Sequence, residues 1–448
     1  KLDMSLNGFM LPELRIDSAL NGMLKAGGQL VFQVKKQLPS DLKYSPPYWL
    51  KEKHGPGLFT VTDKSQIGMP ENKPALNGIF KFRLGDQLVE VSVPVLFKST
   101  DPVRGEVYRP VEITPPVSLE PSQSAELFPS TGVKHIRLKI RSLVALNNQG
   151  IIRPVVPEGW KVSPQQISFS FDKKDQIRSA EFDVTPPQGA SEGLLAVVAE
   201  INGKSFNTAV EEVAYDHIPV QTLQYPAEIK LIRTDIRIEA KKIGYILGAG
   251  DDIPASLRSL GIDVTELKNE EISLQLLSGF DAIVLGIRAL NTNDNIRAIM
   301  PDLLKYCEAG GTLITQYNTN GDLQTDQFSP FGLTISRERV TEENAPVTIL
   351  AADHPAINFP NRITEKDFEG WVQERGLYFP GRWDPAFTPV LSMNDTGEPE
   401  RKGSLLVAKH GSGFYVYTGL SFFRQLPEGV SGAFRLFANL LSLKNAPK

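Results

Sequence analysis

Apolar and polar residues alternate in short runs through the first half of the chain. Residues 27–34 (Gly-Gly-Gln-Leu-Val-Phe-Gln-Val) and 87–96 (Gln-Leu-Val-Glu-Val-Ser-Val-Pro-Val-Leu) show the pattern, and Pro, Gly and Asn clusters break it. Alternation over about four to eight residues marks a half-buried strand, because successive side chains face opposite sides of a sheet. A second set of runs, at 134–140, 166–171 and 180–184, follows the proline-marked stretch 110–121. Short strands separated by turns predict β-sandwiches, here two small ones over residues 1–112 and 113–226.

After Tyr225-Pro226 the pattern changes. A continuous apolar run at 242–248 predicts a buried strand, followed by a helix at 253–260, a strand at 262–267 and a helix at 271–277. Another apolar strand is expected at 281–286, then a long helix at 294–309 and a strand at 312–316 after Gly310-Gly311. Such alternation of β and α predicts a mainly parallel sheet covered on both faces, a flavodoxin-like α/β domain over residues 227–448. Residues 321–399 read as irregular, with long loops. Strands at 404–409 and 413–418 and a helix at 430–443 close the chain. There is no internal repeat and no low-complexity tract.

Composition narrows the function classes. The 448 residues carry a formal charge of -4, which argues against a nucleic-acid-binding protein. No stretch approaches the roughly 18 uninterrupted apolar residues of a membrane span. A single cysteine excludes an internal disulfide and a cysteine-based zinc cluster. The five histidines, His54, His135, His217, His354 and His410, are too far apart for any short zinc-ligand motif. The chain opens on Lys1, from which either a removed leader or a piece of a longer protein is expected.

In an open α/β sheet, ligands bind beyond the carboxyl ends of the strands. The loops at that rim supply Asp251 and Asp252, then Arg288, then Gln316, Tyr317 and Asn318. These groups suit a hydroxyl-rich or anionic ligand. Asp252 is equally a natural N-cap for the following helix. The Gly-Ala-Gly-Asp run at 248–251 lacks the third glycine of a dinucleotide fingerprint, and no phosphate loop follows. Cys307 falls inside a helix rather than at a strand-to-helix elbow, so an inert buried thiol is expected. His354 lies in Asp-His-Pro, more often a turn than an acid–histidine pair. Trp371, Glu374 and Arg375, with Tyr378 and Trp383, form a charged and aromatic cluster. It suits either sugar stacking or a satellite core under a long loop.

Some motifs carry a resemblance. Gly-Gly-Thr-Leu-Ile-Thr-Gln at 310–316, fed by the strand at 281–286, resembles the class I glutamine amidotransferase-like fold. Catalytic members of that fold place a cysteine at the elbow where this chain has Gln316-Tyr317-Asn318. The resemblance therefore implies the fold without the amidotransferase activity. Pro-Glu-Gly-Trp-Lys-Val-Ser-Pro at 157–164 and Phe-Asp-Val-Thr-Pro-Pro at 182–187 resemble sandwich modules beside sugar-binding domains of bacterial glycan enzymes. Taken with the landmarks at 101–110, 215–219, 370–379 and 415–427, the chain resembles the C-terminal half of large PIG-L/LmbE-like N-acetylglucosamine deacetylases, common among Bacteroidetes.

That resemblance implies an accessory, glycan-contacting or structural region with no catalytic residue and no cofactor of its own. Zinc is expected only in an N-terminal deacetylase domain, whose His-Pro-Asp-Asp and H-x-x-H motifs this chain lacks. It further implies that domain as partner, a possible glycan ligand, neither nucleic acid nor a membrane span, and a periplasmic or extracellular location. Two alternatives stay open. The α/β domain is itself a hydrolase or carbohydrate-binding enzyme working through Asp251, Arg288, Gln316, His354 and Glu374, or the chain is a purely structural assembly module.

Overall fold

A computed structural model describes residues 4–39, 41–53, 55, 57–145 and 148–447. His54 lies outside the described residues.

The first unit is one antiparallel sheet, not a sandwich. Ile16–Leu24, Met4–Leu11, Asn77–Leu84 and Gln87–Pro94 pair in that spatial order. Leu96–Asp101 and Gly105–Pro110 form a separate hairpin. The strand expected at 27–34 is absent, because that segment finds no backbone partner. It lies against the sheet through its side chains, with the Phe32 ring 5.0 Å from that of Phe9. The core here is small, built on Phe9, Leu11, Leu14 and Leu76.

The middle unit is a β-sandwich. One sheet runs Ile167–Phe171, Asn148–Val155, Ser191–Ile201, Glu228–Arg233, Ala125–Phe128. The other runs Lys161–Ser163, Ile177–Thr185, Lys134–Ser142, Val117–Pro121. In Lys134–Ser142 the alternation points Ile136, Leu138 and Ile140 inward against Phe171 and Phe182. The sheet takes in Glu228–Arg233, so its last strand lies past residue 226.

The C-terminal unit is built on a seven-stranded mixed sheet. Its elements are β1 (Lys242–Ile246), α1 (Ile253–Ser259), β2 (Asp263–Glu266), β3 (Ala282–Leu285), α2 (Ile296–Glu308) and β4 (Thr312–Thr315). They continue with β5 (Phe387–Pro389), β6 (Leu405–His410), β7 (Gly413–Thr418) and α3 (Ser431–Leu441). The spatial order is β2-β1-β3-β4-β7-β6-β5. The first five run parallel, whereas β6 and β5 are antiparallel to their neighbours.

The expectation of a flavodoxin-like α/β domain is corrected here. The chain is mostly β, with 41% of residues in strand against 15% in helix, distributed over many small sheets. Within the C-terminal unit, only α1, α2 and α3 exceed a single α-helical turn among the described residues. The helix expected at 271–277 is a 3-10 turn, Asn269–Glu271, followed by the four-residue turn Leu274–Leu277. The irregular stretch contributes two further antiparallel ribbons, Leu333–Val340 with Gly376–Trp383 and Val347–Ile349 with Leu391–Met393. Register shifts and the Pro380-Gly381 pair break the alternation in the first ribbon, which hides it from a period-two reading.

Helices α3 and α2 cover opposite faces of the sheet, α3 through Phe437 and Leu440, α2 through Met300, Leu303 and Cys307. Gly413 lets β7 start hard against the end of α2, since a Cβ there would sit 2.1 Å from the Cys307 carbonyl oxygen. A fully buried amide, Asn439, fixes the 355–361 segment to α3. Its Oδ1 accepts from the Asn361 backbone N–H (2.9 Å) and Nδ2 (3.0 Å). Its Nδ2 donates to the carbonyls of Ala356 (3.0 Å) and Asn361 (2.7 Å).

The middle and C-terminal units share core. Leu127 and Ile232 of the sandwich pack into the same apolar cluster as Leu257 and Phe434. Lys134 pairs with Glu126 of its own unit at 2.6 Å and donates across the seam to the Ser259 carbonyl. Ser124 Oγ donates to the Pro427 carbonyl at 3.2 Å.

Candidate functional site

The rim beyond β1, β3 and β4 is built over a buried polar chain. Tyr245, the fourth residue of β1, is fully buried, and its hydroxyl lies 2.7 and 2.8 Å from the two carboxylate oxygens of Asp251. Asp251 also accepts from the N–H groups of Ile253 (3.1 Å) and Ile287 (3.3 Å). Burial raises the carboxyl pKa of Asp251, although these donors pull it down. Gln316 continues the chain, donating from Nε2 to the Tyr245 hydroxyl at 3.0 Å and to the Leu285 carbonyl at 3.3 Å. Its Oε1 is buried without a partner. Asp252 occupies the N-cap position of α1, yet its side chain makes no capping bond.

Asn318 is a staple. Its Oδ1 accepts from the Leu290 N–H at 2.8 Å, and its Nδ2 donates to the Gln316 carbonyl at 2.8 Å. Neither it nor Gln316 offers a free face, since both are buried. Close packing of the two loops depends on Gly248, where a Cβ would lie 2.1 Å from the Ile287 carbonyl oxygen.

No family model matches the chain. No curated protein matches it either. Among solved structures, it is similar to α-2-macroglobulin of E. coli at 11% identity, covering 35% of this chain, with TM-score 0.19. An exo-β-1,4-mannosidase from an Opitutaceae bacterium is similar at 14% identity over 45% of this chain, with TM-score 0.26. A type I cohesin–dockerin complex of Clostridium thermocellum is similar at 8% identity, covering 26% of this chain and 99% of that one, with TM-score 0.15. The chain spans 8% of the macroglobulin's length and 35% of the mannosidase's. At such TM-scores these likenesses carry nothing about chemistry.

Several of the residues expected at the rim serve packing. His354 caps the short helix Pro355–Asn358, its Nδ1 accepting from the Ala356 N–H at 3.0 Å, and burial lowers its pKa. Trp371 is 2% exposed and packs between the rings of Phe368 and Phe422. Arg375 is tied to backbone carbonyls, reaching Ala345 at 3.0 and 2.8 Å and also Phe368, with its guanidinium 5.9 Å from the Trp371 ring centre. Burial pulls its pKa down to about 10. Trp371 and Arg375 are therefore a satellite core under the loop. Asp251, Glu374 and His354 share no hydrogen bond or ion pair among the described residues. Cys307 is buried, and burial pushes its thiol up to about 12. Among the described residues no three His, Cys, Asp or Glu side chains cluster in a way that could hold a metal.

What does converge is an aromatic and charged cluster, in which half-buried rings lie against the buried Tyr317. The Tyr317 ring lies 6.2 Å from Tyr378, nearly parallel at 13°, and 5.2 Å from Phe423. Burial raises the Tyr317 hydroxyl pKa, while Arg288 and Arg424 pull it down. Glu374 is paired with Arg424 at 2.8 Å, and the Arg424 guanidinium lies 4.8 Å from the Phe423 ring centre. Arg424 also donates to Gln373 Oε1. Three non-glycine residues here hold left-handed backbone, Arg288 (φ 56°), Gln373 (φ 67°) and Tyr378 (φ 51°). Such conformations cost roughly 1–3 kcal/mol each and gather at functional sites. Sequence reasoning missed Phe423 and Arg424. They follow β7, the fifth parallel strand, so extending the strand-end rule to that strand would have found them.

Proposed function

We propose that this chain is an accessory, glycan-contacting region of a PIG-L-like N-acetyl-sugar deacetylase, without a catalytic centre of its own. The observation that supports glycan contact is the pair of half-buried rings Tyr378 and Phe423, which lie against the buried Tyr317 and are bordered by Arg288 and the Arg424–Glu374 pair. Rings beside donors and acceptors at the strand ends suit a sugar, whose apolar face stacks while its hydroxyls bond at the edge. The groups required for acid–base hydrolysis are engaged apart from one another, Asp251 with Tyr245 and His354 with a helix cap. The deacetylase setting rests on the sequence landmarks at 101–110, 215–219, 370–379 and 415–427.

The test is calorimetric titration of the chain with N-acetylglucosamine oligomers, together with an acetate-release assay in added zinc on this chain and on its full-length parent. Binding by the chain, with acetate released by the parent alone, is the expected result. Acetate release by the isolated chain would overturn the accessory role. Absence of binding to every oligomer would remove the glycan contact.

A further inference from the structure

Arg288 differs from the other arginines of the rim. Arg424 is neutralised by Glu374, and Arg375 is buried against carbonyls. Arg288 enters no ion pair among the described residues, and its Nε is buried with no hydrogen-bond partner. A buried guanidinium N–H left without an acceptor is costly in a finished structure and needs an explanation. The backbone at this residue is fixed. Arg288 sits at φ 56°, its N–H donates to the Tyr317 carbonyl at 2.8 Å, and the one-turn helix Ala289–Thr292 starts immediately after it. The surrounding loops therefore present a half-buried cation beside the Tyr317 ring, with one inner donor unused.

We infer that this face recognises its ligand through a carboxylate, as on an acidic sugar, received by the Arg288 guanidinium while the sugar ring lies against Tyr378 and Phe423. This deepens the glycan-contacting reading and rests on it. A guanidinium offers two parallel N–H groups to a carboxylate, and Nε is one of the pair commonly used. The Arg424–Glu374 pair sets a neutralised border, so Glu374 does not repel an incoming anion. An uncharged sugar would offer hydroxyl or amide oxygens as acceptors but no negative charge to match the guanidinium.

Calorimetry with a galacturonate oligomer, an N-acetylglucosamine oligomer of equal length and inorganic phosphate, on wild type, Arg288→Ala and Arg288→Lys, tests this. The acidic oligomer should bind about tenfold or more tighter than the neutral one, the contribution of one charge-assisted contact. Arg288→Ala should abolish that preference, whereas Arg288→Lys should retain part of it. Added salt should weaken the acidic ligand selectively. Equal affinity for both oligomers, unchanged by Arg288→Ala, overturns this inference and leaves glycan contact standing. Failure of both oligomers to bind removes both. Phosphate binding as tightly as the acidic oligomer would refute the sugar platform. Thermal melts report whether the variants fold, and should Arg288→Ala not fold, Arg288→Lys and the wild-type salt titration decide.

Discussion

Replacing Asn439 with leucine removes a side chain that makes four hydrogen bonds in a site closed to solvent. Leucine has the same number of side-chain heavy atoms and the same branching, with bulkier methyl groups, so no cavity is left. The loss falls instead on the partners, because the Asn361 N–H and the carbonyls of Asn361 and Ala356 lose their bonds to this side chain. Each buried backbone group so stranded costs about 1–3 kcal/mol, and local relaxation recovers some of it. The expected destabilisation is about 3–5 kcal/mol, a large part of a typical folding free energy of roughly 5–15 kcal/mol. Denaturant titration gives the total, and amide exchange across residues 355–371 tests whether the loss is local to the segment that Asn439 holds. Asn361→Ala breaks the same network, so the double variant should lose clearly less than the sum of the two singles. A loss below about 1 kcal/mol for Asn439→Leu, or strict additivity, would refute the network as a source of stability.

Lys134→Met leaves the Glu126 carboxylate buried beside the seam without its cation, and should cost about 2–3 kcal/mol at neutral pH. Burial already raises the Glu126 pKa against the pull of Lys134, so protonation favours the folded state. The variant's deficit should therefore shrink as pH falls, read by melts at about pH 8 and about pH 5. An unchanged deficit would show that Glu126 is not the group responsible. For His354, burial lowers the pKa from 6.5 and the ring must stay neutral to accept from Ala356, so stability should fall as pH drops below about 6.5. His354→Asn keeps a capping acceptor without the titration and should lose that part of the pH dependence in denaturant titrations. Gly413→Ala should prevent stable folding of the C-terminal sheet, because its Cβ would meet the carbonyl oxygens of Cys307 at 2.1 Å and Gly311 at 2.2 Å. A circular-dichroism melt equal to wild type would contradict that close approach.

Elements whose burial is uniform were the most legible in the sequence. The four-residue cores of β3 and β4 are buried at every position, and they stand inside the apolar runs that predict them. Helix α2 follows its amphipathic period closely, and the sandwich strand Lys134–Ser142 follows period two. Legibility failed where backbone pairing is not written in side-chain pattern. Residues 27–34 alternate but pair with no strand, and Gly376–Trp383 pairs through a shifted register that scrambles its alternation. The rim divided in the same way. Residue type drew attention to Arg288 and Tyr317 at the rim and to Glu374 in a separate cluster, yet it could not separate them from Trp371 and Arg375, which have similar chemistry and point into packing. Asp251 looked like an acid at a strand end, and its oxygens are spent on Tyr245 and two backbone N–H groups.

The shared core between the sandwich and the C-terminal sheet bears on how this region is inherited. Ile232 is at once a residue of a sandwich strand and a member of the C-terminal core, and Gly429 is held so tightly over it that a Cβ would lie 2.2 Å from its Cδ1. A recombination breakpoint at residue 226 would leave the sandwich without Glu228–Arg233, which bridges two of its strands. One placed after residue 233 would strip the C-terminal core of Leu127 and Ile232. The two units are therefore expected to pass between proteins as a single cassette, with gene shuffling cutting on either side of the pair and not through its middle.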